Sequence, residues 1–418
     1  MKVNLQPTLN DGNLDAHQPS SQRQLAMSIS AIAEIEDRNI PLNLCLILDH
    51  SGSMHGRPLE TVKQAAIGLV DKLKPGDRLS VVAFDHHATV LVPNQTVANP
   101  ERIKKQINSL TADGGTAIDE GLRLGIEELA KGKKETVSQA FLLTDGENEH
   151  GDNQRCLKFA QLATGYNLTL NTLGFGDKWN QDVLEKIADA GLGSLSHIQK
   201  PEQAADEFNR LFSRVQTVGL TNAYLLISLM PHVRLAELKP IAQVSPDTIE
   251  LPIQQEADGR FAVRLGDLMK DAGRVILANI YLGQLSEGKQ AIAHVQVRYD
   301  DPAQNKMGLL TDNIPVYANV TGVYQPKLDS GVQQSILALA KYRQTQLAEA
   351  KLQQGDRAGA ATMLQTAAKT ALQMGDQSAA TVLQTSATQL QSGGDLSESD
   401  RKKTRIVSKT VLQDTPPQ

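Results

Sequence analysis

At 418 residues the chain is roughly two to three times the size of a common domain, which excludes a single small module. Its 42 basic and 47 acidic side chains leave a formal charge of -5, which excludes nucleic-acid binding by bulk charge. Two cysteines, Cys45 and Cys156, are too few for a disulfide framework and lack metal-ligand spacing, so both are expected as buried thiols in a reducing compartment. The N-terminal stretch has no apolar run followed by a small-residue cleavage site, and no later window reaches about 18 uncharged apolar residues. A soluble, cytoplasmic protein without a transmembrane segment is expected.

Residues 1–40 contain an alternating stretch at 25–35, expected to lend strands to a β-sandwich. Residues 41–215 alternate apolar runs with amphipathic stretches, the pattern of parallel strands joined by helical crossovers. The run 42–48 is apolar apart from Asn43 and ends at Asp49, as a strand buried on both faces does. Pro58 suits a first helical turn, and Val62, Ala65, Ala66, Leu69, Val70 and Leu73 recur at helical spacing until Pro75-Gly76. Strands are predicted at 79–84, 89–92, 140–144, 168–173 and 194–198, with helices at 100–110, 117–130, 156–164, 181–190 and 201–215. From 216 to 325 the period becomes two, at 223–230, 260–265, 275–282 and 291–299, which predicts antiparallel sandwich strands. Residues 326–392 turn to Ala, Gln, Leu and Thr and predict helices at 330–352, 357–374 and 377–390, broken at Gly355-Asp356 and Gly375-Asp376. Residues 393–418 carry five basic side chains between Arg401 and Lys409 and are expected to be a flexible tail. The expected fold class is α/β: a doubly wound, mostly parallel sheet inserted in a β-sandwich and followed by a helical region.

The chemistry concentrates at Asp49-His50-Ser51-Gly52-Ser53, at the carboxyl end of the first central strand, where open α/β sheets build their sites. One carboxylate and two hydroxyls on a tight turn offer three oxygen ligands to one point, and hard divalent cations take oxygen. Thr116, just before a helix, and Asp145, at the end of the next central strand, fall at the same sheet edge. Asp49 alone reads equally well as a cap on the following turn, and each hydroxyl alone as a helix cap. The ordered set of Asp49, Ser51, Ser53, Thr116 and Asp145 does not.

This set resembles the metal ion-dependent adhesion site (MIDAS) of a von Willebrand factor A (VWA) domain. The flanking text agrees, with LILDHSGSM, KPGDRLSVVAFD, DGGTAIDEGL and FLLTDGEN in family order over about 175 of the 418 residues. The resemblance implies that Asp49, Ser51 and Ser53 form the first metal-binding loop, Thr116 the second and Asp145 the third. It also implies that a divalent cation, Mg²⁺ first and Mn²⁺ or Ca²⁺ as alternatives, takes an Asp or Glu from a protein partner. The architecture looks like that of bacterial multi-domain VWA proteins.

Other functions have weaker signals. Asp49-His50-Ser51 lacks the second acid of a phosphatase Asp-x-Asp, and neither serine sits on a Gly-x-Ser-x-Gly elbow, so no enzyme is expected. His50, His55, His86, His87 and His150 lie near the same face without zinc spacing and are expected on its rim. Gly283 to Gln290 matches a P-loop except that Gln290 stands where Ser or Thr belongs, and its place between two strands predicts a hairpin turn. Two alternatives stay open: an accessory subunit of a chelatase-like ATPase complex, and a scaffold whose tail hydroxyls Thr404, Ser408, Thr410 and Thr415 are phosphorylated for a phosphothreonine reader.

Overall fold

The computed structural model describes residues 2–32, 40–176, 178–270 and 272–410. Alternation near the N-terminus gives strands β1 (Lys2–Leu9), β2 (Asn13–Asp15) and β3 (Ser20–Ile32). β1 and β3 pair antiparallel, with Leu25, Met27 and Ile29 of β3 turned inward and buried. Residues 33–35 of the expected alternating stretch lie outside the described residues.

The chain then enters the α/β domain through β4 (Leu42–Asp49), every residue of which is buried. There follow α1 (Arg57–Val70), β5 (Arg78–Phe84), β6 (Ala88–Thr96), α2 (Pro100–Asn108), α3 (Ile118–Lys131) and β7 (Val137–Thr144). The unit ends with α4 (Asn153–Gly165), β8 (Thr169–Phe175), α5 (Gln181–Ala190), β9 (Leu192–Ile198) and α6 (Ala204–Gln216). The sheet order is β6-β5-β4-β7-β8-β9, parallel except for the β5/β6 pair. Period two sorts the side chains of β4: Leu44, Leu46 and Leu48 pack with α1, α2 and α6, whereas Cys45 and Ile47 pack with α3, α4 and α5. Asn43, the polar exception, is satisfied by the Leu129 carbonyl at 2.8 Å, Ser138 at 2.9 Å and Asn94 at 2.7 Å.

Helix α3 lies so close to the sheet that a Cβ on Gly121 would come within 2.7 Å of Phe84 Cδ1. Phe84 is fully buried and has nowhere to go. Gly121→Ala is therefore expected to destabilise the domain by about 1–2 kcal/mol, because overpacking outweighs the helix-propensity gain of alanine. Urea titration at constant m-value checks this, and a higher midpoint would refute it.

The remaining strands are β10 (Val218–Leu229), β11 (Val233–Leu235), β12 (Ile241–Ser245), β13 (Ile249–Glu250), β14 (Ile253–Gln255), β15 (Phe261–Met269), β16 (Arg274–Gly283), β17 (Gly288–Asp301), β18 (Lys306–Leu310) and β19 (Ile314–Thr321). One sheet runs β1-β3-β16-β12-β13 with β11 on β16; the other runs β14-β15-β10-β17-β19-β2 with β18 on β17. N-terminal strands thus complete both sheets, β3 pairing with β16 from Arg274↔Ile29 to Gly283↔Ser20 and β2 lying parallel to β19. The inner faces share one apolar core. The α/β domain is inserted between β3 and β10. The P-loop-like stretch is not a hairpin turn: β16 and β17 belong to different sheets, so residues 284–287 arch from one sheet to the other.

Helices α7 (Ser330–Gln353), α8 (Arg357–Gln373), α9 (Gln377–Gln391) and α10 (Glu398–Lys409) follow. At each Gly-Asp break the glycine takes positive φ, 79° at Gly355 and 78° at Gly375, while Asp356 and Asp376 cap the next helix. The expected flexible tail is corrected as far as Thr410. α10 is capped by Ser397 and docks on the α/β domain. Its Arg405 and Lys409, one turn apart, meet Asp182, Glu185 and Asp189 of α5, with Arg405 Nε to Glu185 Oε2 at 2.9 Å and Lys409 Nζ to Asp189 Oδ1 at 2.8 Å. Basic residues that read as solvated are half of a partly buried ion-pair network centred on the buried Glu185. Residues 411–418 lie outside the described residues. Among those described, no helix is long and apolar enough to cross a membrane.

Candidate functional site

Strands β4 and β7 are parallel neighbours, with Leu48 opposite Leu143, so Asp49 and Asp145 emerge side by side. The connections leaving the two strands run to opposite faces of the sheet, which opens a crevice between their carboxyl ends. The segment before α3 folds over this crevice: Gly52 N–H donates to the Gly114 carbonyl at 3.0 Å and Asp113 N–H to the His50 carbonyl at 2.9 Å. Gly114 takes φ of +71°, and a Cβ there would lie 2.9 Å from His86 Cε1 and 3.0 Å from Asp85 Oδ2, so only glycine fits.

The polar groups form a chain. Asp49 is wholly buried; Oδ1 accepts the Ser51 N–H at 2.8 Å and Oδ2 accepts the Thr144 hydroxyl. Ser51 Oγ lies 3.1 Å from Ser53 Oγ, which donates to Asp145 Oδ1 at 2.6 Å. Thr116 joins from the second loop: a Cβ on Gly146 would lie 3.3 Å from Thr116 Oγ1 and 3.8 Å from Ser53 Oγ. The five sequence-predicted residues are therefore gathered at one edge. Sequence reasoning missed Thr144, which orients Asp49; its signal was a hydroxyl residue directly before a strand-end aspartate.

Burial pushes the Asp49 carboxyl up to about 6, against the pull of the Thr144 and Ser51 hydrogen bonds, and the Asp145 charge adds to the rise. Asp145 is also raised by burial, with the Ser53 hydroxyl and the Lys178 ammonium pulling the other way. Two carboxylates that burial disfavours as anions, ringed by three hydroxyls, form an all-oxygen donor set that a hard divalent cation fits. Asp49, Ser51, Ser53, Thr116 and Asp145 are the residues that could hold it.

The histidines serve the loop. His150 Nδ1 accepts the Thr116 N–H at 3.3 Å, and its ring lies 6.4 Å from that of His86, which lies 4.4 Å from His87. His50 Nδ1 bonds the Thr111 carbonyl at 2.9 Å. Among the described residues no three His, Cys, Asp or Glu side chains converge as a metal cluster. Cys45 and Cys156 are free and buried, and burial pushes both thiols up to about 12, so neither is a thiolate nucleophile.

Residues 43–210 match the von Willebrand factor type A domain, and residues 330–414 the Sll0103-like C-terminal alpha-helical domain. The chain is 61% identical over 413 residues to the uncharacterized protein sll0103 of Synechocystis sp., covering 99% of this chain and 98% of that one. It is 28% identical to inter-alpha-trypsin inhibitor heavy chain H3 of Pongo abelii, over 44% of this chain and only 22% of that protein. Among solved structures, a von Willebrand factor type A protein from Catenulispora acidiphila superposes with a TM-score of 0.82 at 19% identity, covering 98% of this chain and 97% of that one. The ArnB paralog VWA2 from Sulfolobus acidocaldarius gives 0.59 at 16% identity, covering 97% and 98%. At these identities the structural likeness concerns the fold.

Proposed function

The chain belongs to the Sll0103-like family of von Willebrand factor type A domain proteins, and from that premise we propose that it binds a protein partner through a divalent cation. VWA domains are protein-interaction modules. The finer reading rests on the meeting of a buried carboxylate, a half-buried one and three hydroxyls, Asp49, Asp145, Ser51, Ser53 and Thr116, in the crevice of the sheet. Because three of the five donors are neutral hydroxyls and the two carboxylates at most neutralise it, a bound M²⁺ would stay electrophilic enough to accept a further carboxylate, an Asp or Glu of the partner. Mg²⁺ is our first choice, and we read the site as one of binding without turnover. The two free buried thiols fit a reducing, cytoplasmic setting.

The phosphorylated-tail reading loses support. Thr404 and Ser408 are buried, and Thr404 Oγ1 lies 3.0 Å from Ser386 Oγ, so a phosphate on either would have to dislodge α10. Thr410 is exposed, and Thr415 lies outside the described residues.

Affinity capture from a lysate of the source cell, with wild type and Asp49→Ala each in Mg²⁺ and in EDTA, tests the proposal. A protein retained by wild type in Mg²⁺ alone is expected. Four identical lanes would overturn it, and a partner whose retention also needs ATP would favour the chelatase-like alternative.

A further inference from the structure

A cleft of about 680 Å³ opens where the three parts of the chain meet, between β9 and α6 of the α/β domain, the Pro246-Asp247 turn of the sandwich, and α9 and α10 of the helical region. Three cations line it: Arg210 and Arg214, one turn apart on α6, and Lys403 on α10. Arg210 is engaged, with Glu207 at 2.8 Å and Ser196 Oγ at 2.9 Å. Arg214 is not: among the described residues it makes no ion pair, and its Nε points at Met269 Sδ at 3.4 Å. Burial pushes its pKa down and the neighbouring Arg210 adds to the fall, while the Asp247 carboxylate pulls the other way without reversing it. Lys403 is exposed and likewise makes no ion pair among the described residues. Asp247 is the lining carboxylate left to face these two charges.

We propose that this cleft is a binding site for a small phosphate monoester. A guanidinium fork on α6 and an ammonium on α10 suit the charge of a phosphate dianion, which would offset the cost of burying Arg214 without an ion pair. Ser196 and Thr217 hydroxyls and the Asp247 carboxylate supply partners for the hydroxyls of a sugar. The volume falls within the span of roughly 300–1,000 Å³ found for small-ligand pockets and suits a sugar phosphate or mononucleotide. Its walls come from three separate parts of the chain, so a ligand there would hold them together.

The site shares no residue with the crevice at Asp49, so its test can run in EDTA. Isothermal titration of the full chain is made with AMP, glucose 6-phosphate and inorganic phosphate, and with adenosine and glucose as uncharged controls. Saturable binding of at least one ester is expected, tighter than inorganic phosphate, with none for the controls. Arg214→Met and Lys403→Gln should each weaken it roughly tenfold or more. Lys403 is exposed, so its variant keeps the fold even if the α6 variant does not. No binding by any phosphate up to roughly 10 mM, inorganic phosphate binding as tightly as the esters, or unchanged affinity in the Lys403 variant would each overturn the proposal.

Discussion

Asp49→Asn is expected to raise the melting temperature in EDTA and to abolish the further rise that Mg²⁺ gives the wild type. The side chain is wholly buried, and its carboxyl is pushed from 3.8 up to about 6. A group whose folded pKa exceeds its unfolded value binds more protons when folded, so metal-free stability falls as pH rises through that interval and stays low at pH 7. Two units correspond to about 3 kcal/mol as an upper bound. Asparagine removes the charge and keeps an acceptor for the Ser51 N–H, while the Thr144 hydroxyl can turn to accept. A net gain of about 1–2 kcal/mol, a few degrees for a domain of this size, should remain in EDTA. Wild type saturated with Mg²⁺ should gain about 3 kcal/mol at a hundredfold excess over Kd, and the variant nothing. Thermal unfolding at pH 5 and pH 7.5, with and without Mg²⁺, reads both effects. An unchanged Mg²⁺ response in the variant would remove Asp49 from the ligand set, and a lower melting temperature in EDTA would show that the charge is stabilising.

The site was legible because its chemistry is local in sequence. Asp49, Ser51 and Ser53 occupy one turn, and the apolar runs ending at Asp49 and Asp145 mark adjacent buried strands, so strand order alone brings them together. The helical breaks were equally readable, since Gly355 and Gly375 supply the left-handed residue and the following aspartates the cap. Sheet membership was not. The stretch after Gly283 has the composition of a hairpin, and nothing local says that the next strand joins the facing sheet. Helix α10 was hidden for a related reason: its charged residues are complementary to Asp182, Glu185 and Asp189, more than 200 positions earlier. A sequence window sees the basic half of such a network and takes it for a solvated surface.

That network carries the second large effect, an expected loss of about 2–3 kcal/mol in Arg405→Met. Glu185 is 4% exposed and faces both Arg405 and Lys409, while Arg405 also reaches Glu349 of α7 at 3.5 Å. Removing Arg405 leaves Glu185 with Lys409 alone and strips Asp182 of its partner on α10. The ammonium of Lys409 is held well above its ordinary pKa by Asp189 and Glu185, against the opposing effect of burial, so the surviving pair stays charged. The loss should appear where α10 is anchored. Its Lys402 lies 4.4 Å over the Trp179 ring, and the Lys409 carbonyl accepts the Thr248 N–H at 2.9 Å. Lys341, fully buried in α7, holds both Asp376 and the Thr410 carbonyl at 3.1 Å. Hydrogen exchange is therefore expected to accelerate across 398–410 and at Thr248, with the interior of β4 unchanged. A Glu185→Gln variant should show the same pattern, and the double variant should lose less than the sum, since the two residues share one interaction. Strict additivity, or unchanged exchange in α10, would mean that apolar packing and not this network fastens the helix to the α/β domain.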